Sequence, residues 1–182
     1  MSRYVETKLG EIAKTNTTSY SEKEKWNFVN YLDTGSITQN VIESVQYIDL
    51  NTEKLPSRAK RKVRKNSIVY STVRPNQLHY GIIKSQPENF LVSTGFTVID
   101  VNEAKADADY IFYYLTQRDI VEHLQAIGEQ STSAYPSIKA SDIEDLVLFL
   151  PPLEEQKKIV EILNAITNRI SNNTAINNNL AA

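Results

Sequence analysis

The stretch 151–182 constrains the fold more than any other part of the chain. Ile159, Leu163, Ile166, Ile170, Asn173, Asn177 and Leu180 recur at alternating spacings of four and three, the seam of a helix that packs along another helix. Leu150-Pro151-Pro152-Leu153-Glu154-Glu155 precedes it. Proline suits the first turn of a helix, and carboxylates suit the positive end of its dipole. At ~1.5 Å per residue, three heptads make a rod of roughly 30 to 45 Å. A stripe this narrow predicts a coiled-coil-type pairing helix rather than a core helix. Asparagine at two seam positions fits a pairing whose register and partner number are specified at a cost in stability. The polar run Ser171-Asn172-Asn173-Thr174 also fits a fraying end.

The first 150 residues follow another pattern. Short β-branched and aromatic runs at 26–32, 45–50, 67–73, 80–84, 90–101 and 146–150 are separated by turn residues. In the third run, alternation places Ile68, Tyr70 and Thr72 on one face and Val69, Ser71 and Val73 on the other, before Arg74-Pro75-Asn76 breaks the strand. One helix is predicted over 109–127 from Ile111, Leu115, Ile120, Leu124 and Ile127, with Asp107 or Asp109 as cap and Gly128 as stop. Trp26, Phe28, Tyr113, Tyr114 and Phe149 are expected in the core. The fold class is therefore α+β, a mixed strand-rich domain over 1–150 followed by the long helix of 151–182.

The chain has no cysteine and only two histidines, His79 and His123. Disulfides, thiolate metal sites and cysteine nucleophiles are thereby excluded, and no metal site is predicted. No apolar run approaches the roughly 18 residues that cross a bilayer, so a cytoplasmic protein is expected. Net charge is -2, from 20 basic and 22 acidic residues, yet 58–65 holds six positive charges in eight positions and leaves 14 basic against 22 acidic elsewhere. A chain so polarised is expected to present one positive face, unless the run is simply a solvated hairpin. No Walker-type loop, Gly-x-Gly-x-x-Gly or Gly-x-Ser-x-Gly occurs. Leu150-Pro151-Pro152-Leu153 lacks the amide or carboxylate that an adenine-methyltransferase tetrapeptide carries before its prolines. Asp100, Asp107, Asp109, Asp142, Glu144 and Asp145 are expected at caps and solvated faces, and the chain is read as non-catalytic.

Several segments together resemble the DNA-specificity subunits of type I restriction-modification systems. They are Leu9-Gly10-Glu11-Ile12; Tyr31-Leu32-Asp33-Thr34-Gly35-Ser36-Ile37; the run from Lys62 through Asn66-Ser67 and Ile68 to Asn76; Val92-Ser93-Thr94-Gly95-Phe96; and Leu150-Pro151-Pro152-Leu153-Glu154-Glu155-Gln156-Lys157-Lys158-Ile159-Val160-Glu161-Ile162-Leu163. The last is the most specific, and the resemblance spans essentially the whole chain. Asn66-Ser67 stands where Gly-Asp is common, and asparagine also tolerates a left-handed turn.

The resemblance implies a target recognition domain that reads double-stranded DNA and a spacer helix that docks it. It implies modification (methyltransferase) subunits that methylate adenine, and restriction subunits joined through the complex. S-adenosylmethionine, ATP and magnesium then belong to those partners, and no cofactor to this chain. Family members usually carry two recognition domains. One domain here implies a half-subunit that pairs with a second copy through Ile159, Leu163, Ile166, Ile170, Asn173, Asn177 and Leu180, on two inverted half-sites.

On that reading, Arg58, Lys60, Arg61, Lys62, Arg64 and Lys65 supply phosphate attraction. Arg74, Asn76, Gln77, His79 and Tyr80 are candidates for base edges, since arginine pairs with guanine and Asn or Gln with adenine. Ser131, Thr132, Ser133, Tyr135, Ser137 and Lys139 form a second candidate loop. Trp26 and Tyr80 are also placed to stack on an unpaired base if the DNA is distorted. Two rivals stand beside this reading. One is a non-catalytic interaction protein that docks on or inhibits a restriction complex through its C-terminal helix, and the other a stand-alone nuclease or methyltransferase.

Overall fold

A computed structural model describes residues 4–132 and 134–180, with side chains as far as Asn177. Its centre is two four-stranded sheets stacked face to face. The first, in the order β2 (Ala13–Thr15), β11 (Phe96–Val101), β8 (Ile68–Ser71), β9 (Tyr80–Ile82), is antiparallel throughout. The second, β6 (Gln46–Asp49), β3 (Phe28–Leu32), β10 (Phe90–Ser93), β7 (Ala59–Lys62), has β3 and β10 parallel in its middle.

The two-residue period of each strand builds three apolar layers. Ile68 and Tyr70 of β8, Ile99 and Val101 of β11 and Tyr80 and Ile82 of β9 face a helical layer. Val69, Phe96 and Val98 face the second sheet, where Leu32, Phe90 and Val92 meet them. On the far side, Val29, Tyr31, Ile48 and Leu91 are covered by Tyr20, Trp26, Leu50 and Leu55. Both faces of both sheets are thus covered, which explains why β8 and β10 are buried at every position. The 90–101 run divides into two strands at Thr94-Gly95.

The helical layer holds α1 (Leu9–Ile12), α2 (Ala108–Leu115), α3 (Arg118–Glu129) and α4 (Ala140–Glu144). The single helix expected over 109–127 is therefore two. Thr116 Oγ1 donates back to the Phe112 and Tyr113 carbonyls at 3.0 and 3.3 Å, and the chain leaves helical geometry at Gln117 before restarting. Asp107 is the cap at the start, accepting from the Asp109 and Tyr110 amides. Gly128 lies inside α3, which continues to Glu129.

β1 (Val5–Lys8) pairs with β12 (Val147–Leu150) as a separate two-stranded ribbon. Alternation there turns Leu148 inward and Phe149 outward, so Phe149 is 64% exposed rather than in the core. A short hairpin, β4 (Ile37–Thr38) and β5 (Val41–Ile42), sits over β9.

The last element, α5 (Leu153–Leu180), starts directly after Pro152 with Glu154 and Glu155 in its first turn. Its base is knitted to the sheet domain by a buried amide. Gln156 donates from Nε2 to the Pro151 carbonyl and accepts at Oε1 from the Asp107 amide, both at 2.8 Å. Val160 is buried, and the Tyr113 hydroxyl donates to Asn164 Oδ1 at 2.6 Å. The Thr167 hydroxyl lies 3.4 Å from the same tyrosine hydroxyl, and every described side chain from Ala165 to Asn177 is exposed. Of the expected seam, Ile159 and Leu163 are half-buried, while Ile166, Ile170, Asn173 and Asn177 face outward together with Ile162 and Ile176. The Leu180 side chain lies outside the described residues. No helix among the described residues is long and apolar enough to cross a membrane.

Candidate nucleic-acid interface

Strand register decides which loops share an end of the stacked sheets. Ser93 at the end of β10 lies opposite Ala59 at the start of β7, Val92 lies beside Leu32 at the end of β3, and Phe96 at the start of β11 faces Ser71 at the end of β8. The turns 33–36, 72–78 and 94–95 and residue Arg58 therefore emerge together. Backbone bonds join them: the Thr94 amide donates to the Arg58 carbonyl at 2.8 Å, and the Thr72 amide and hydroxyl donate to the Gly95 carbonyl at 2.8 and 2.9 Å. A Cβ at Gly95 would come 2.8 Å from Thr34 Cγ2, so glycine is what allows the 33–36 turn to close in.

The second candidate loop reaches the same end from sixty residues downstream. Val73 bridges Ser137, the Arg74 amide donates to the Pro136 carbonyl at 2.9 Å, and the Ile138 amide donates to the Thr72 carbonyl at 2.8 Å. The Arg74 guanidinium lies over the Tyr135 ring, 4.3 Å from its centroid. Arg74 and Leu78 both adopt left-handed backbone, at φ 48° and 59°, on either side of a tight 3-10 turn at Pro75–Gln77. Such conformations are uncommon away from glycine and persist only where surroundings enforce them. The enforcing contacts here include the Pro136 bond and one from the Asn76 amide to Gln125 Oε1 on α3, 3.3 Å long. Asn76 and Gln77 are exposed at the tip.

Other residues singled out in the sequence are placed differently. Tyr80 is 7% exposed, stacked on Tyr70 at 5.6 Å and edge-on to Phe112 at 6.1 Å, so it belongs to the core and neither reads a base edge nor stacks on a flipped base. Strand alternation with Ile82 required this. His79 is half-buried, its Nδ1 2.7 Å from the Ile37 carbonyl, where it tethers the β4–β5 hairpin. Ser131 and Ser137 have their hydroxyls 3.4 Å apart, Thr132, Tyr135 and Lys139 are exposed, and Ser133 lies outside the described residues.

The basic run does not form one positive face. Its Ala59–Lys62 part is β7, which sets Arg58 beside the end of β10 and carries the chain to Arg64 beside Asp100 and Val101, at the opposite end of the sheets. Arg58 stays with the loops just described. Lys62 lies over the Trp26 ring and pairs with Glu24, whose carboxyl that hydrogen bond holds below its usual range. Trp26 itself, against Tyr20, closes the far layer. Arg64 pairs with Asp100 at 3.2 Å and donates to the Val101 carbonyl at 3.0 Å. Burial pushes the Arg61 guanidinium down from its ordinary pKa, and its Nε has no hydrogen-bond partner among the described residues. Lys60 and Lys65 are exposed. Asn66 takes the left-handed turn, at φ 67°.

The carboxylates have structural work. Asp100 accepts from Arg64, Ser67 and Thr17, Asp109 pairs with Lys84, Asp142 caps α4 through the Lys139 amide, Glu144 accepts from Thr15, and Asp145 pairs with Lys8. Among the described residues, no three His, Asp or Glu side chains converge as a metal site would need. The candidate site is the set of loops carrying Arg58, Arg74, Asn76, Gln77, Tyr135 and Lys139, side chains suited to hydrogen-bonding an extended polar ligand. Gln156, buried at the helix base, is the structural residue that residue-by-residue reading missed. Only its place in the Leu-Pro-Pro-Leu-Glu-Glu-Gln motif marked it.

Comparison with known proteins agrees with this architecture. A specificity subunit of the type I restriction enzyme HindI from Haemophilus influenzae is 29% identical over 180 residues, which are 99% of this chain and 39% of that protein. The crystal structure of an HsdS subunit from Thermoanaerobacter tengcongensis superposes with a TM-score of 0.78 at 25% identity, over 95% of this chain and 44% of that one. A chain solved in work on complex assembly and conformational transition of the type I R-M system gives 0.80 at 25% identity, over 96% of this chain and 44% of that one. The chain thus spans about two-fifths of the length of these relatives. The family model described as type I restriction modification DNA specificity domain matches residues 1–182, and the chain belongs to that family.

Proposed function

We propose that this chain reads a short sequence in double-stranded DNA for a type I restriction-modification complex, directing adenine methylation and cleavage by modification and restriction subunits that carry their own cofactors. The observation that carries the reading is the joining of two polar loops, 72–78 and 131–139, by backbone bonds into one surface with Arg74 held at its centre. Arg58 and Lys139 border it with positive charge suited to phosphate contact. Metal-dependent cleavage by the chain itself has no support in the carboxylate geometry. A second proposal concerns α5: its outward Ile162, Ile166, Ile170 and Ile176 pair with a second copy, so that two sheet domains meet two inverted half-sites separated by a gap.

The test is to express the chain with its modification subunit in a host lacking adenine methylation and to map N6-methyladenine across the genome. A gapped, inverted-repeat motif that depends on the chain supports both proposals. An asymmetric motif keeps the DNA-reading function and removes the two-copy arrangement. An assembled complex with no motif removes the function and favours an interaction protein that docks through α5.

A further inference from the structure

We propose that Arg74, clamped by Tyr135, reads one guanine in the sequence this domain recognises; this rests on the reading of the loop surface as the DNA-facing one. Three features occur together at Arg74. Its backbone is fixed on both sides, with its amide on the Pro136 carbonyl and its carbonyl accepting from the Gln77 amide, both at 2.9 Å. Its guanidinium is held over an aromatic ring. Among the described residues no carboxylate lies within ion-pairing distance of it, whereas Lys62, Arg64 and Arg118 each have one.

Phosphate attraction needs only a positive charge nearby, which a mobile lysine supplies as well as an arginine. Fixing a guanidinium by a strained backbone and a ring face serves a ligand that must meet a fork in one plane. Guanine is the base with two acceptors, O6 and N7, side by side in the major groove. Adenine sets its N6 donor against a group that can only donate, cytosine offers a donor, and thymine offers one acceptor beside a methyl group. A fixed fork therefore prefers guanine. The neighbouring Asn76 and Gln77 amides, which both donate and accept, carry no such preference.

The experiment is selection from random duplex DNA by the chain assembled with its modification subunits, comparing wild type with Arg74→Ala, Arg74→Lys, Tyr135→Phe and Tyr135→Ala. Wild type is expected to enrich a motif with an invariant guanine whose replacement weakens binding roughly ten- to a hundredfold. Arg74→Ala should make that one position indifferent while the others persist, which also reports that the variant is folded. Arg74→Lys should keep the salt dependence and weaken the guanine preference, because an ammonium lacks the planar fork. Tyr135→Phe should keep the preference, and Tyr135→Ala should relax it. If Arg74→Ala instead weakens all sequences alike, lowers the salt slope by about one and leaves the motif intact, Arg74 is a phosphate contact and the proposal fails while the DNA-reading function stands. An assembled wild-type complex that enriches no motif overturns both.

Discussion

Removing the Gln156 amide should loosen the joint between α5 and the sheet domain. Gln156 is 0% exposed, and its two hydrogen bonds end on the carbonyl of buried Pro151 and the amide of half-buried Asp107, the residue that caps α2. Gln156→Met keeps nearly the same volume and strands both partners. A stranded buried polar group costs about 1–3 kcal/mol, which applies to the Pro151 carbonyl, and the half-buried Asp107 amide adds about 1–2 kcal/mol, so the pair predicts a loss of about 2–5 kcal/mol. With a urea m-value of about 2 kcal/mol/M, the unfolding midpoint should fall by roughly 1 to 2.5 M. Gln156→Ala adds a cavity and should fall further. Gln156→Glu keeps an acceptor for Asp107 but loses the donor and buries a charge, so it should be no better than Gln156→Met. Urea titrations followed by circular dichroism measure all three. A Gln156→Met midpoint within roughly 0.2 M of wild type would show that the amide's two partners find equal bonding without it, and that the joint does not depend on Gln156.

Tyr70 makes the opposite prediction. Its hydroxyl is buried without a hydrogen-bond partner among the described residues, and the residue is 1% exposed, so Tyr70→Phe should stabilise by about 1 kcal/mol in the same titration. Burial also raises the Tyr70 pKa above its ordinary 10.0, and those of Tyr31, Tyr80, Tyr110 and Tyr114 likewise. A folded-state pKa above the unfolded one means stability that is complete below pH 10 and is lost as the pH rises beyond it. Wild type should therefore lose stability steeply above pH 10, and Tyr70→Phe should lose it less steeply. At Gly81, a Cβ would fall on Ile37 Cδ1 and 3.0 Å from Asn40 Oδ1. Gly81→Ala should cost about 1–3 kcal/mol by displacing the β4–β5 hairpin, seen as a lowered Tm and faster amide exchange at Ile82, whose N–H is held by Asn40.

Local patterns in the chain carried much of the fold. The alternation at 68–71, the Asp107 cap, the left-handed Asn66 and the proline-led start of α5 were all readable, because each depends on a few neighbouring residues. The break at Thr116-Gln117 was hidden, since apolar residues continue at helical spacing on both sides while the stop comes from a threonine hydroxyl returning to its own helix. Alternation was available but outweighed at two places. In 59–63 the charges mask the buried positions Ala59 and Val63, and at Tyr80 the hydroxyl masks a face shared with buried Ile82. The candidate site divides the same way. Arg74, Asn76 and Gln77 were legible as a polar turn after a strand. Their union with 131–139 was not, because it rests on the pairing of Thr72 and Val73 with Ser137 and Ile138, which no local pattern encodes. The division of the basic run likewise follows from strand length and partner geometry rather than from charge count.

The proposed function requires that DNA meet the loop end of the sheets and not the end that carries Lys65. It is tested most directly by placing a photoreactive side chain at Gln77 or at Lys65 in the complex assembled with modification subunits and irradiating it on methylation-site DNA. Crosslinks to bases from position 77, with none to bases from position 65, are the predicted result. Base crosslinks from position 65 and none from position 77 would place the DNA at the opposite end of the sheets.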